Sequence, residues 1–439
     1  MSNFVCAEIS PKVLAEIFEK NKNAIVQVNF LSDITGPFAS QGSKYESNTI
    51  GVVIADSGVV MIGDHIFPNT TFSPTAKVEG FEVVLSDESK VKAKFLGKDE
   101  DAGVAFIQIE EREKFPKKYL KFSEEELKLG DEVISITTLN KEENFAKVFN
   151  GGYVNGILTT PKNFASVFLP SIDTNLGAPV ISMKTGLAIG VISGTDLGRL
   201  VSHNTLIKTT SHFANSLKEI PKNPEESNTK AWLGIETQPL TKELAIYWGI
   251  EEREGIVIST IIEDSPADEA GLSEGDIVTS INSVKISVSE DYEIESFRNL
   301  IRQYKPNETA IFTVIRDGED QIFNVKFGDI PKSSFFAEEY KNDEFGISVV
   351  EITFDLRRTF NLESSAKGVY VADVEPASWV SLAGISLGDV IQKVNSDKIE
   401  NVTDFKNAIA KVIENKDEEV TFFALRGVGT ILFLVKTEF

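Results

Sequence analysis

The sequence predicts a mainly β chain: one many-stranded β domain, then two copies of a smaller module built from strands and a helix. Three observations predict it. Short β-type runs recur through the first half, with Gly, Asp, Asn and Pro between them, a spacing that marks an all-β barrel or sandwich rather than a βαβ fold. A polar stretch with two prolines, residues 218–230 (KEIPKNPEESNTK), then reads as a linker. Beyond it, one long pattern occurs twice.

Taken in order, residues 11–20 (PKVLAEIFEK) place Val13, Leu14, Ile17 and Phe18 on one helical face. Residues 24–30 (AIVQVNF) read as a strand. Further β-type runs cover 50–55, 58–62, 81–85, 91–96, 104–109, 132–137, 152–158, 166–170 and 187–193. Residues 206–217 read as a helix closing the domain. The repeat comprises residues 263–286 (EDSPADEAGLSEGDIVTSINSVKI) and 374–399 (VEPASWVSLAGISLGDVIQKVNSDKI). Aligned on Pro-Ala, the second copy carries one extra residue before Ala-Gly. Each copy follows a short strand start, Trp232-Leu233-Gly234-Ile235 and then Phe345-Gly346-Ile347. A helix follows each, near 294–304 and 403–412, and then more strands. A weaker break lies at 328–342 (GDIPKSSFFAEEYKN).

Composition narrows the function. The 439 residues fit two to four domains of roughly 100–200 residues. Lys and Arg number 44 against 67 Asp and Glu, a net charge of −23, which argues against nucleic acid and anionic lipid as partners. A single cysteine, Cys6, excludes an intramolecular disulfide and any cysteine-based zinc site. The histidines, His65, His203 and His212, lack metal-ligand spacing. No metal or cofactor is expected. The most apolar stretch, 186–194 (GLAIGVISG), is far shorter than the roughly 20 residues of a membrane span. Residues 1–12 show no basic segment followed by an apolar core, so no signal peptide is expected, and the compartment would be the cytoplasm if the chain is complete.

The repeated module resembles the PDZ domain of bacterial proteases. Its S-P-A-x-x-A-G-L-x-x-G-D-x-I pattern runs through residues 265–283 and, less tightly, 376–396. The resemblance implies a small α/β barrel that captures a peptide by strand addition. Backbone N–H groups of the Φ-Gly-Φ loop would receive a terminal carboxylate. The implied peptide-binding residues are Trp232, Leu233, Gly234 and Ile235 with Phe297, Leu300 and Ile301 of the helix in the first copy. In the second they are Phe345, Gly346 and Ile347 with Phe405, Ala408 and Ile409. Core packing accounts for any single one of the apolar residues equally well. Gly271, Gly275, Gly384 and Gly388 read as turn or cap residues, and Asp276 and Asp389 as carboxylates that satisfy backbone donors.

A β domain followed by tandem PDZ modules resembles the HtrA family of serine proteases, and implies a trypsin-like double β-barrel. Against that family's His motif, residues 58–66 (GVVMIGDHI) place His65 at the catalytic histidine. Against its Asp motif, residues 99–107 (DEDAGVAFI) place Gly103 at the catalytic aspartate. Against its G-N-S-G-G-P motif, residues 174–180 (TNLGAPV) place Leu176 at the nucleophile and Thr174 in the oxyanion loop. Neighbouring Ser171, Ser182, Ser193, Asp64 and Asp173 do not restore the set. The expected domains are 1–220 (degenerate protease), 221–230 (linker), 231–330 (first PDZ) and 336–439 (second PDZ). Catalytic residues are expected to be absent.

The leading expectation is a pseudoprotease that binds peptides, protein C-termini or unfolded proteins without cleaving them, in protein quality control. The alternatives are an active HtrA-type endopeptidase with a rearranged site, and a PDZ scaffold or regulatory partner of an active HtrA protease. The resemblance further implies a homo-oligomer, commonly a trimer, and a periplasmic or cell-envelope setting.

Overall fold

The computed structural model describes residues 10–33, 44–67, 77–99, 102–139, 143, 145–159, 163–169, 176–193, 204–224, 231–251, 253–332, 337–363, 366–427 and 429–439. The chain divides into two compact units, with the change-over between Ser227 and Asn228.

The first unit opens on α1 (Pro11–Asn21). Pro11 suits a first helical turn, where the missing N–H would lack a partner anyway. Ile17 is buried, and the Phe18 ring lies 5.1 Å from that of Phe149. Then come β1 (Ile25–Asp33), β2 (Lys44–Val53), β3 (Val59–Gly63), β4 (Lys77–Val84), β5 (Lys90–Asp99) and β6 (Val104–Ile109), closed as a barrel in the order β1-β2-β3-β6-β5-β4. A second barrel holds β7 (Glu132–Thr138), β8 (Lys147–Ile157), β9 (Phe164–Phe168), β10 (Pro179–Ser182), β11 (Ala188–Ile192) and β12 (Asn204–Thr209), in the order β10-β11-β12-β9-β8-β7. Closure leaves no strand edge unpaired, which is why such short strands suffice. Val59, Met61, Leu96, Val104 and Phe106 of the first barrel share a buried cluster with Val191 of the second and Phe213 of α2 (Thr210–Lys218).

The helix expected over 206–217 is therefore corrected. Its first four residues belong to β12, which pairs with β9 and β11. Apolar Leu206 and Ile207 fit either period over so short a run, and barrel closure decides for the strand.

The second unit holds two modules. The first comprises β13 (Ala231–Trp232), β14 (Ile235–Pro239), α3 (Lys242–Tyr247), β15 (Ile256–Ile261), α4 (Pro266–Glu269), β16 (Ile277–Ile281), β17 (Val284–Lys285), α5 (Ile294–Ile301), β18 (Thr309–Arg316), β19 (Glu319–Lys326) and β20 (Gly328–Asp329). Its main sheet runs β14-β15-β16-β18-β19, so β14 is an edge strand, while β13 pairs with β20. The second comprises β21 (Glu339–Asn342), β22 (Ile347–Glu351), α6 (Phe354–Thr359), β23 (Val369–Val374), α7 (Trp379–Leu382), β24 (Val390–Val394), β25 (Asp397–Lys398), α8 (Val402–Asn415), β26 (Glu419–Arg426) and β27 (Gly429–Lys436). Its sheet runs β21-β22-β23-β24-β26-β27. The break expected at 328–342 thus has a strand at each end, β20 and β21.

The repeat aligns without the extra residue. Ser265 caps α4 by accepting from the Asp268 N–H, and Ser378 caps α7 by accepting from the Ser381 N–H. From these serines both copies count five residues on to Ala-Gly, at Ala270-Gly271 and Ala383-Gly384. Pro376-Ala377 is therefore not the counterpart of Pro266-Ala267. Instead Ala377 matches Asp264, and both take a left-handed backbone, φ 61° and 58°. The helix cap, not the Pro-Ala pair, fixes the register.

Each module is also pinned by a buried carboxylate. Asp276 accepts from the Ser273 N–H and from Nε and a terminal N–H of Arg316, at 2.7–2.9 Å. Asp389 does the same with Ser386 and Arg426, at 2.6–3.0 Å. The backbone role was expected; the two-pronged arginine was not. The guanidinium also donates to the carbonyl of the turn glycine, Gly271 or Gly384.

Candidate functional site

The segments that carry His65, Gly103 and Leu176, the three positions matched to the family's motifs, neighbour one another in the first unit. His65 lies in the short turn Asp64–Ile66 that follows β3. Gly103 lies in the turn before β6, with φ +65°, a conformation that favours glycine. The Asp64 N–H donates to the Gly103 carbonyl at 3.3 Å, and the Gly103 N–H to the Asp99 carbonyl at 2.8 Å. Leu176 and Gly177 form the turn before β10, and the Gly177 N–H donates to Ile192 O at 2.8 Å. A Cβ added at Gly177 would stand 3.5 Å from the Gly63 N and 3.6 Å from Ile50 O. The nucleophile turn therefore rests on the strands that carry His65. Thr174, Ser171, Asp173 and His203, like Cys6, lie outside the described residues.

Lys208, on β12, reaches the space beside Gly103. A Cβ built on Gly103 falls 1.6 Å from Lys208 Nζ and 3.2 Å from Asp64 Oδ1. The ammonium thus fills the space in which a side chain at position 103 would begin. Asp99 borders the same cluster, accepting from Ser216 Oγ at 2.8 Å and from the Ala102 N–H at 3.2 Å. Burial pushes the Lys208 amine below its ordinary range, and the charges of Asp64 and Asp99 oppose that fall. His65 presents one edge to solvent and folds the other back over Gly63, whose added Cβ would meet Nδ1 at 2.4 Å. Loss of water on the packed edge, and then the Lys208 charge, push its pKa below the ordinary 6.5. Both causes disfavour the charged imidazolium.

In the PDZ modules the residues expected to bind peptide divide by burial. Leu233, Phe297, Ile301, Phe345, Ile347, Phe405 and Ile409 are all 8% exposed or less and belong to the two cores. Ala408, the counterpart of Leu300, is buried too. Trp232, Ile235 and Leu300 are half-buried, which leaves them surface to offer beside the open β14 edge. The Trp232 ring also meets Phe354 of α6 edge-on, centroids 5.6 Å apart. Gly234 and Gly346 have φ +78° and +65°. Their carbonyls accept from the Ser265 and Ser378 hydroxyls, which ties each loop to a helix cap.

Comparison with known proteins agrees with this geometry. Residues 49–191 match the trypsin-like peptidase domain, and residues 231–327 and 345–437 each match the PDZ domain. The "Probable periplasmic serine endoprotease DegP-like" protein of Ectopseudomonas mendocina is 27% identical over 402 residues, 85% of this chain and 77% of its own length. Its counterpart in Pseudomonas savastanoi pv. phaseolicola is 28% identical over 413 residues, 89% and 79% of the two lengths.

The chain thus carries a trypsin-like peptidase domain followed by two PDZ domains, and in this it is similar to the HtrA proteases.

Solved structures agree on the fold. The HtrA-type protease AlgW with decapeptide superimposes with a TM-score of 0.54 at 18% identity, over 73% of this chain and 99% of that one. The serine endoprotease from Yersinia pestis gives 0.52 at 15%, over 72% and 98%. No helix among the described residues is long and apolar enough to cross a membrane.

Two features escaped the sequence reading. Lys208 gives no local signal: its segment reads as a helix, and only its pairing within β12 carries its Nζ to Gly103. The β21 strand was hidden in a stretch read as a break. A signal for β21 did exist: Glu339-Tyr340-Lys341-Asn342 alternates around one aromatic residue, directly before the Phe345-Gly346 loop.

Proposed function

We propose that this HtrA-type chain is a pseudoprotease: it binds peptides or unfolded segments through PDZ domains and does not cleave them. One observation carries the reading, the Lys208 ammonium that acts on His65 and fills the space where a side chain at Gly103 would begin. Acyl transfer needs a hydroxyl nucleophile, a histidine that takes its proton, and a carboxylate that orients and stabilises the imidazolium. Leu176 carries no hydroxyl. A cation beside His65 opposes the imidazolium that proton transfer would create. Loss of the nucleophile alone lowers turnover by on the order of 10⁶ in subtilisin.

Binding is what the remaining parts support. Among the described residues the β14 edge of the first module has one strand neighbour, β15, and can take a peptide as a further strand. Beside it, the N–H groups of Leu233 and Gly234 donate to no other described group, which suits a terminal carboxylate. Half-buried Ile235 and Leu300 offer an apolar seat for the last side chain. Micromolar affinity, about −8 kcal/mol, is expected of so short a strand. The periplasm or cell envelope is the proposed setting, by likeness to the DegP-like relatives. A homo-oligomer is the proposed assembly, for which light scattering is the test.

The experiment is a casein digest with the purified chain, beside the Leu176→Ser/Gly103→Asp variant. Neither is expected to cleave, because an aspartate at 103 meets the Lys208 ammonium. Cleavage by the wild type that His65→Ala abolishes would overturn the reading. Fluorescence anisotropy with free-acid and C-terminally amidated peptides tests the binding half, and equal affinity for both forms would exclude carboxylate capture.

A further inference from the structure

The second PDZ module already holds a strand in its groove. β21 pairs antiparallel with β22 in the register Glu339↔Val350, Tyr340↔Val349, Lys341↔Ser348 and Asn342↔Ile347. β22 is the counterpart of β14, and β21 covers the edge that is open on β14. Tyr340 packs against the module's core, its ring 6.2 Å from that of Phe405 on α8. A strand that is antiparallel to the acceptor strand and places an aromatic side chain against the helix is what strand-addition ligands present.

The end of β21 completes the likeness. Asn342 Oδ1 accepts the Phe345 N–H at 2.9 Å, and the Asn342 backbone carbonyl accepts the Gly346 N–H at 2.9 Å. These two donors belong to the Φ-Gly-Φ loop and correspond to Leu233 and Gly234. The two oxygens of Asn342 therefore occupy the donors that a terminal carboxylate would use. Lys341 adds a tether, with ion pairs of 3.0 Å to Glu375 and to Asp343. The Ser348 hydroxyl donates to Glu339 at 2.7 Å.

Taking both modules as strand-addition grooves, we propose that β21 is the resident ligand of the second PDZ module, so that only the first is open to peptides from outside. The second module becomes a peptide receptor only when β21 is displaced.

The test uses the full chain and hydrogen exchange resolved to short segments, with a free-acid hexapeptide of residues 337–342 (AEEYKN) as probe. Without probe, residues 347–351 are expected to be protected, and probe at about 1 mM is expected to leave them unchanged. In the Tyr340→Gly/Asn342→Gly variant, exchange at 347–351 is expected to rise roughly tenfold or more, and the probe to restore protection. Added protection of 347–351 in the wild type would overturn the proposal, since the groove would then be open. So would a variant that exchanges like the wild type, or one that opens and is not rescued by the probe, since β21 would then be a structural strand only. If the variant unfolds, seen as fast exchange through β23–β26, the wild-type arm decides alone. Segment 235–239 is read in the same experiment, so failure of the first module to bind peptide is seen separately from the state of the second.

Discussion

In the first PDZ module β14 has one neighbour in its sheet, β15; in the second, β22 lies between β23 and β21. The frames around them are otherwise alike. Each has a capping serine bound to the loop glycine, and a buried aspartate held by an arginine from the strand that pairs with it. What differs is the segment before the loop. In the first module the backbone of Trp232 pairs with Gly328 of β20 rather than with β14. In the second the chain turns back at Asn342 and lies along β22. The comparison teaches that a shared pattern specifies the frame, while a few residues outside the pattern decide whether the groove is vacant.

Four predictions sharpen or break this comparison. The largest effect is expected at the loop glycines. A Cβ at Gly234 would stand 2.1 Å from Ser265 Cβ, and one at Gly346 would stand 2.3 Å from Ser378 Cβ. Gly234→Val and Gly346→Val are each expected to unfold their own module, at a cost above about 4 kcal/mol. Circular dichroism and limited proteolysis would show it. A folded variant with normal peptide binding would contradict the close approach.

Next come the buried carboxylates. Asp276→Ala and Asp389→Ala each remove an acceptor from a backbone N–H and from a two-pronged arginine, and each is expected to cost about 2–4 kcal/mol. Denaturant titration should place the two losses within about 1 kcal/mol of each other. A large inequality would mean that the frames are not equivalent.

The third concerns the open groove. Leu300→Ala is expected to weaken binding of peptides with an apolar last residue about tenfold, or ~1.4 kcal/mol, with little change in fold. Anisotropy checks it, and unchanged affinity would move the apolar seat elsewhere.

The smallest effect belongs to Lys341. Its ion pairs with Glu375 and then Asp343 raise its pKa above the ordinary 10.5. A raised lysine contributes fully below the unfolded value and loses that contribution as pH rises through the folded one. Lys341→Gln should therefore loosen β21 equally from about pH 6 to 9, by no more than about 1 kcal/mol for so exposed a pair. Exchange rates at 347–351 across that range would show any pH dependence.

Much of the fold was legible because burial imposes period and spacing. The runs 104–109 and 132–137 became strands of 0–6% exposure almost throughout, and the Gly-Asp turns returned in both modules. The capping serine shows the limit: Pro-Ala invited an alignment that the helix start overruled. Of the candidate site, His65, Gly103 and Leu176 could be placed by motif, but nothing in their own segments pointed to Lys208, which is more than 100 positions from Gly103. A side chain that fills a vacancy from another strand leaves no local signal.

The sequence by itself determined the β class and the repeated module, because each follows from residue type and local spacing; Gly103 and Leu176 were matched to a carboxylate and a nucleophile position by resemblance. Only the tertiary structure decided which distant side chains and strands meet. Lys208 reaches Gly103 because barrel closure sets β12 as a strand and the two barrels pack together. β21 closes the second groove because the free edge of β22 offers it backbone partners and α8 offers Tyr340 an apolar seat. Long-range pairing of this kind depends on what the rest of the fold leaves unsatisfied, and no window of the chain contains that information.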